Sequence, residues 1–175
     1  MEAAKKELVN TVYFLRPGVH FGVIWYESVA RPWKTELVPA TWPNKLDCMR
    51  ETEKLSAAGT TNVWDALELA LKMTETPQRP GTVQIDRKAN YATALNGADT
   101  FFLMSDGRPS AGRISNALEI LAELRKVNRL RRIALHAVCV GDEAGGGGIQ
   151  GVDPPDPNFM KRLAEENGGE FVHIR

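Results

Sequence analysis

Residues 100–112 read Thr100-Phe-Phe-Leu-Met-Ser-Asp-Gly-Arg-Pro-Ser-Ala-Gly112, an apolar run of strand length that stops at the turn Ser105-Asp106-Gly107. A continuous apolar run bounded by turn residues is typical of a strand that is buried on both faces of a parallel sheet. Open α/β sheets bind their ligands at the carboxyl ends of such strands. The sequence therefore predicts a buried strand that places the Asp106 carboxylate at a functional edge.

Composition limits the class of protein. A chain of 175 residues with 43% apolar content is long enough to bury a core without disulfides or metals. Lys plus Arg and Asp plus Glu both number 22, so no net charge attracts nucleic acid or an anionic membrane. Cys48 and Cys139 have no metal or redox spacing and are expected to be buried thiols. No apolar run approaches the ~18 residues of a membrane span.

Hydrophobic periodicity predicts an α/β fold. Helical patterns lie at about residues 4–15, 44–57, 63–71, 115–130 and 157–167. Strand patterns lie at about residues 19–25, 33–38, 101–104, 133–140 and 170–174. We expect residues 33–38 to return beside 19–25 as an antiparallel edge. Because strands alternate with helices in the second half, we expect right-handed crossovers and a mostly parallel, doubly wound sheet with helices on both faces.

Enzyme-like motifs do not match their templates. Ser110 lies in Gly107-Arg-Pro-Ser110-Ala-Gly112, which has one residue too many before the serine for a nucleophile elbow. Residues 141–148 are rich in glycine and follow a strand, but they lack the Lys-Ser/Thr ending of a phosphate loop. The histidines lack the helical spacing of a zinc site and are interpreted as structural; they are His20, His136 and His173.

Two surface features favour structural interpretations. A basic cluster at the end of the fourth predicted helix suits the carbonyl end of the helix dipole; it consists of Arg125, Lys126, Arg129, Arg131 and Arg132. The Trp33 to Pro43 region could form an apolar edge that binds a partner, although tryptophan side chains more often cover a hydrophobic core. We therefore do not expect the basic cluster to bind nucleic acid, and we give little weight to the tryptophan region as a binding edge.

Thr61 and Asp106 form the strongest candidate site. Thr61 begins a helix and Asp106 ends a strand, and both loops open at the same edge of a doubly wound sheet. A hydroxyl and a carboxylate are hard oxygen ligands that suit a small divalent cation such as Mg²⁺. Two simpler interpretations stay open: Thr61 caps its helix, and Asp106 makes an Asp-Gly turn.

Three segments resemble the signature segments of a bacterial von Willebrand factor type A domain. They are Phe101–Ile114, Ala58-Gly-Thr-Thr-Asn-Val-Trp-Asp-Ala-Leu67 and Phe159-Met-Lys-Arg-Leu-Ala-Glu-Glu-Asn-Gly-Gly-Glu-Phe-Val172. The opening residues 1–8 resemble the family's first helix. The resemblance implies a Rossmann-like sheet and a non-enzymatic module that binds proteins through a metal-ion-dependent adhesion site. There an acidic side chain of the partner completes the shell of a Mg²⁺, Mn²⁺ or Ca²⁺ ion.

The resemblance assigns the family's threonine ligand to Thr61 and its aspartate ligand to Asp106. The family's Asp-x-Ser-x-Ser motif lies just before the first helix. This sequence has no such motif, and residue 1 falls where that helix has already begun. The resemblance therefore implies that the central first strand and the other ligands are missing. We expect the parent protein to bind the cation and this chain to bind it weakly or not at all.

We accordingly interpret residues 1–175 as a single domain, incomplete at its N-terminus, with a long excursion at 75–99 and a Gly/Pro-rich loop at 141–155. The chain is expected to be a fragment or to start at an internal methionine. It is also expected to self-associate through the gap left by the missing strand, because unpaired backbone groups are costly. The alternatives are a metal-independent scaffold or, less favoured, a Rossmann-like hydrolase or nucleotide-binding enzyme.

Overall fold

A computed structural model describes residues 2–56, 60–75, 97–105, 108–140 and 156–174. The Asp106-Gly107 turn, residues 76–96 of the predicted excursion and the predicted loop at 141–155 lie outside the described residues. The helices are α1 Glu2–Phe14, α2 Trp42–Glu53, α3 Val63–Lys72, α4 Ala117–Arg131 and α5 Pro157–Glu165. The strands are β1 His20–Phe21, β2 Ile24–Tyr26, β3 Ala30–Pro32, β4 Val38–Pro39, β5 Thr100–Ser105, β6 Ala134–Val140 and β7 Phe171–Ile174.

The second half of the chain forms a parallel sheet in the order β5-β6-β7. Thr100 pairs with Ala134 at the start of β5, and Ala137 pairs with Phe171 at the start of β7. Helix α4 connects β5 to β6, and α5 connects β6 to β7. The predicted α/β class with βαβ crossovers is confirmed for this part of the chain.

One face of this sheet is buried. Phe101, Leu103 and Leu135 point into a core that helices α3, α4 and α5 complete. The helices contribute fully buried side chains to it, among them Leu71, Ile120 and Leu163. Burial of these large apolar groups is the main stabilising contribution, at roughly 25 cal/mol per Å² of apolar surface removed from water.

The opposite face of the sheet is only partly covered, which corrects the prediction that β5 is buried on both sides. Phe102 is 54% exposed and Val172 is 48% exposed. Helix α1 approaches this face, and its Glu7 and Thr11 line a cavity of about 170 Å³ together with Phe102. The apolar run identified the strand correctly, but coverage of its second face depends on helices distant in the chain.

The first half of the chain forms two small antiparallel sheets, β1 with β4 and β2 with β3. The antiparallel pairing was predicted, but the single strand over 19–25 is wrong because it breaks between β1 and β2. Gly22 lies at the break, where an added Cβ would come within 2.6 Å of the Met73 Cε. The partner of β2 is Ala30–Pro32, since a turn at residues 27–29 returns the chain before the predicted residues 33–38.

Helices α1 and α2 pack against these small sheets and form a second core around Val12, Phe21 and Cys48. Lys45 of α2 is 8% exposed, and its Nζ donates hydrogen bonds to the carbonyls of Tyr13 and Leu15. The ammonium thus satisfies carbonyls at the end of α1, which have no partner within the helix. Among the described helices, none is long and apolar enough to cross a membrane.

Candidate cation- and partner-binding rim

Three short segments meet at the carboxyl end of the sheet, and together we call them the rim: residues 27–28 after β2, residues 60–62 before α3 and residues 108–113 after β5. The Thr61 N–H donates to the Ser110 Oγ at 3.0 Å. The Thr61 carbonyl accepts from the N–H groups of Ser110 at 3.0 Å and Ala111 at 3.4 Å. Thr61 is therefore fixed to the segment that begins two residues after Asp106.

The start of α3 is capped by Asn62, which is 2% exposed. Its Oδ1 accepts from the Asp65 N–H at 3.2 Å, and its Nδ2 donates to the Asp65 carboxylate at 2.8 Å and to the Ser28 carbonyl at 3.0 Å. The capping interpretation of Thr61 is therefore wrong. The pattern Asn62-Val-Trp-Asp65, a capping residue followed three positions later by an acidic one, was a signal available in the sequence.

Segment 108–113 packs closely onto the same helix start. Gly112 has φ +96°, and a Cβ there would lie 1.9 Å from the Asn62 Oδ1. The Arg113 N–H donates to the second Asp65 oxygen at 3.2 Å, and the Arg113 guanidinium pairs with Glu68 at 3.0 Å. The glycine is required both for its backbone conformation and for this close approach.

The segment after β2 joins the rim through Ser28 and Glu27. The Thr60 hydroxyl donates to the Ser28 Oγ at 3.2 Å, and the Asn62 N–H donates to the Glu27 carbonyl at 2.8 Å. The predicted meeting of the Thr61 loop with the loop that follows β5 is thus present in the backbone. Asp106 itself lies outside the described residues, so its pairing with Thr61 stays a prediction.

The oxygen atoms of the rim are of the type that binds a hard cation, but they are few. Hydroxyl and carbonyl oxygens are ligands that Mg²⁺ accepts. The Asp65 carboxylate, however, already binds Asn62 and Arg113. Within the described ranges, no group of three or more His, Cys, Asp and Glu side chains could hold a metal. The oxygen atoms that the described part of the rim contributes are therefore those of hydroxyl and carbonyl groups.

The enzyme-like candidates have structural roles where they are described. The Ser110 Oγ accepts from Thr61, as given above. His136 accepts from the Glu170 N–H at 3.1 Å and stacks on Phe102 at 4.9 Å, and His20 lies 3.3 Å from Glu75. The histidines lie in three different strands, β1, β6 and β7, as predicted. The loop at 141–148 lies outside the described residues.

Parts of the basic cluster form intramolecular contacts. Arg125 pairs with Glu166 at 2.8 Å, and Lys126 pairs with Glu123. Arg131 donates to the carbonyls of Leu71 and Ala98 and so joins the end of α3 to the start of β5. These contacts support the structural interpretation of the cluster.

The two tryptophans of the Trp33 to Pro43 region differ in their surroundings. Trp33 stacks on Phe21 at 5.3 Å and donates to the Asp47 carboxylate at 3.1 Å. Hydrogen bonding from Lys34 holds the pKa of Asp47 below its usual value. The Trp33 side chain is therefore held by contacts within the fold.

Trp42, by contrast, is 56% exposed and meets Tyr13 edge to face at 5.9 Å, while Tyr13 meets Phe14 at 5.0 Å. Tyr13, Phe14 and Trp42 form an exposed aromatic patch. Sequence reasoning missed the contribution of α1 to this patch. A signal was available, since Tyr13 and Phe14 lie off the apolar stripe of that helix.

Solved structures share this architecture. A von Willebrand factor type A protein from Catenulispora acidiphila superimposes with a TM-score of 0.70 at 18% identity, covering 99% of this chain and 34% of that one. An aerotolerance-related membrane protein from Bacteroides fragilis gives a TM-score of 0.62 at 12% identity, covering 99% and 80%. The chain therefore has the Rossmann-like fold of a von Willebrand factor type A domain, as the resemblance implied.

Sequence relatives agree with that class. Inter-alpha-trypsin inhibitor heavy chain H2 of Homo sapiens is 29% identical over 157 residues, which are 89% of this chain and 14% of the relative. Heavy chain H4 of Bos taurus is 28% identical over 172 residues, 97% of this chain and 16% of the relative. The chain thus spans a small part of these relatives. No protein-family profile matches it. Domains of this class generally mediate protein–protein interaction.

Proposed function

We propose that the chain is a non-enzymatic protein-interaction module that contacts an acidic group of its partner at the rim, through a weakly held divalent cation. The observation that carries the proposal is the attachment of the Thr61 backbone to Ser110 and Ala111, because it holds Thr61 beside the segment that begins two residues after Asp106. The fold supports an interaction role.

Thr61 and Asp106 would be the protein ligands of the cation. A bound Mg²⁺ would supply a positive centre that accepts a partner carboxylate. Ser110, Asn62 and Gly112 orient the Thr61 segment without needing the cation, because their contacts are hydrogen bonds and close packing within the protein. Weak affinity is expected, since two protein ligands provide little charge.

Paramagnetic Mn²⁺ tests the cation site at millimolar concentrations, where weak binding is measurable. In the ¹⁵N-labelled chain, Mn²⁺ should broaden the amide signals of Thr61 and Ser110 before those of distant residues. Asp106→Asn and Thr61→Val should each reduce that broadening at least fivefold.

Asp99→Asn is the matched control, because Asp99 is an exposed carboxylate at the opposite end of the same strand. It should leave the broadening at Thr61 unchanged. If Asp106→Asn leaves the broadening unchanged, or if the broadening centres elsewhere, the rim is not the cation site.

A second candidate function is metal-independent assembly through the aromatic patch Tyr13, Phe14 and Trp42. Exposed aromatic clusters are frequent binding hot spots. This alternative is favoured if binding of a purified partner persists in EDTA and is lost with Trp42→Ala. Trp33→Ala is an unsuitable control because Trp33 packs on Phe21, whereas Leu130→Ala removes an exposed apolar side chain elsewhere.

A further inference from the structure

The dipeptide Asn167-Gly168 lies between α5 and β7. The backbone nitrogen that follows an asparagine can attack the carbon of the asparagine side-chain amide, and a following glycine has no Cβ to hinder that approach. The chain contains one other Asn-Gly pair, Asn96-Gly97, whose asparagine lies outside the described residues. Asn167 is therefore a position at which the chain can change chemically without an enzyme.

The Asn167 side chain is held by hydrogen bonds that oppose this reaction. It is 7% exposed, its Nδ2 donates to the Leu163 carbonyl at 2.8 Å, and its Oδ1 accepts from the Asn128 Nδ2 at 2.8 Å. Attack by the Gly168 nitrogen makes the planar amide carbon tetrahedral and then expels Nδ2. Both amide atoms must therefore leave their partners before the reaction can proceed, and each lost hydrogen bond in a buried site is costly.

Asn128 connects this amide to the end of α4 and the start of β6. Its Nδ2 also donates to the Ile133 carbonyl at 2.8 Å, and its Oδ1 accepts from the Ile133 N–H at 2.6 Å. The Leu135 N–H donates to the Asn167 carbonyl at 3.3 Å, and an added Cβ on Gly169 would collide with the Leu135 carbonyl. These five residues, 128, 133, 135, 167 and 169, form one tightly packed unit that we call the corner.

We propose that Asn167 is a site of spontaneous deamidation, which the closed corner protects and which becomes reactive when the corner opens locally. The Gly168 nitrogen forms a bond to the side-chain carbon of Asn167. The bond from that carbon to Nδ2 breaks, and Nδ2 leaves as ammonia with the proton that Gly168 loses. Water then opens the cyclic imide and leaves an aspartate or an isoaspartate at residue 167. Water is the co-reactant, and no oxidant or reductant is needed.

The products do not fit the position that the asparagine occupies. A carboxylate has no N–H for the Leu163 carbonyl, so two oxygen acceptors would face each other in a buried site. An isoaspartate also adds one carbon to the main chain, next to the carbonyl that accepts from Leu135. Deamidation therefore opposes closure of the corner, and a transient opening becomes a lasting loss of stability. The proposal goes beyond the rim and does not depend on the cation.

Incubation of the whole chain at pH 8, followed by mass spectrometry of the peptide that contains residue 167, tests the proposal. Every sample carries Asn96→Gln, so that the other Asn-Gly pair does not contribute. Deamidation should be at least about a hundredfold slower in the folded chain than in urea. In urea, Gly168→Ala should slow the reaction at least about tenfold, because a methyl group then hinders the attacking nitrogen.

Two variants separate local opening of the corner from global unfolding. Asn128→Ala removes the donor to the Asn167 amide, so it should accelerate deamidation of the folded chain at least about fivefold and leave the rate in urea unchanged. Lys45→Met is the matched control, because it removes two hydrogen bonds at the end of α1 and none in the corner. It should leave the rate in the folded chain unchanged.

A third variant tests the effect of the product. Asn167→Asp reproduces one product of the reaction and should lower the melting temperature by several degrees, because the carboxylate faces the Leu163 carbonyl. Asn158→Asp makes the same chemical change at an exposed asparagine of the same helix and should not lower the melting temperature.

Three results would overturn the proposal. One is deamidation of Asn167 in the folded chain as fast as in urea, since the hydrogen bonds would then give no protection. Another is a rate in Asn128→Ala no higher than that in Lys45→Met, since local opening of the corner would then not be the route. The third is an unchanged melting temperature in Asn167→Asp, since the product would then fit the corner. The first and third comparisons stand even if Asn128→Ala fails to fold.

Discussion

The backbone N–H of Thr61 donates to the side-chain oxygen of Ser110 at 3.0 Å, although the two residues are 49 positions apart. The Thr61 carbonyl in turn accepts from the Ser110 N–H at 3.0 Å. This reciprocal pair of hydrogen bonds fixes the loop before α3 to the loop after β5 without involving any charged group. The relative position of the two loops is therefore built into the fold and precedes any ligand.

Ser110→Ala tests how much that attachment stabilises the protein. It removes the acceptor of the Thr61 N–H and should lower the free energy of unfolding by about 1 kcal/mol or less, because Ser110 is exposed. Urea denaturation measures the change, and exchange of the Thr61 amide should become faster. Ser115→Ala, at another exposed serine nearby, should change neither quantity. An unchanged Thr61 exchange rate in Ser110→Ala would contradict the assignment.

Gly112→Ala and Gly168→Ala separate backbone strain from steric conflict. Both glycines have positive φ, +96° and +68°. At Gly168 an added Cβ meets nothing within 4 Å, so alanine should cost about 1 to 2 kcal/mol from conformation alone. At Gly112 the Cβ would displace the buried Asn62 cap, so the cost should be larger by about 1 to 3 kcal/mol. Equal losses in thermal or urea unfolding would show that the Asn62 contact does not matter.

The successful predictions concern features that local sequence patterns determine. Strands β6 and β7 and helices α4 and α5 were predicted to within a few residues, since apolar periodicity and chain order determine them. Thr61 and the segment after β5 were predicted to share an edge because parallel strands place their carboxyl ends together.

The predictions that failed depend on contacts between distant parts of the chain. Phe102 looked buried because its neighbours are apolar, but its exposure is set by how far α1 covers the sheet. The break between β1 and β2 lies at Gly22, which packs closely against Met73, 51 positions later in the chain. The approach of Gly112 to Asn62 has no local signature either.

Lys45→Met should destabilise the protein more than the replacement of one long side chain by another usually does. The buried ammonium donates to two carbonyls at the end of α1, so its loss leaves them unsatisfied at a cost of about 2 kcal/mol. Lys54→Met is the matched control in the same region, because Lys54 is 66% exposed in its pair with Glu51 and should matter little. Thermal unfolding of both variants measures the difference, and similar melting temperatures would contradict the capping role.

The thiol of Cys48 should be chemically inert in the folded protein. Burial raises its pKa to about 12, and the residue is fully buried. The thiolate is the reactive form, so alkylation at pH 8 should be at least about a hundredfold slower than in the urea-unfolded chain. Cys139 is also buried, and Cys139→Ala allows Cys48 to be followed alone by iodoacetamide labelling and mass spectrometry. Rapid labelling under native conditions would contradict the packing of the second core.

Glu166 should contribute to stability in a pH-dependent way. Hydrogen bonding from Arg125, aided by Arg162, lowers the pKa of the Glu166 carboxyl below its ordinary value. A carboxyl whose pKa is lower in the folded state stabilises the protein above its unfolded pKa, and this contribution disappears as the pH falls through the folded pKa.

The free-energy difference between the unmodified chain and Glu166→Gln should therefore be constant from pH 7 to about pH 5 and shrink from there to about pH 3. Its size should be about 1 kcal/mol or less, because the ion pairs are partly exposed. Glu165→Gln is the adjacent control: its carboxylate is 60% exposed and lies 3.8 Å from Lys161, so its effect should be smaller at every pH. Urea unfolding across this pH range measures both variants. A difference for Glu166→Gln that stays constant down to pH 3 would show that the arginines do not act on this carboxylate.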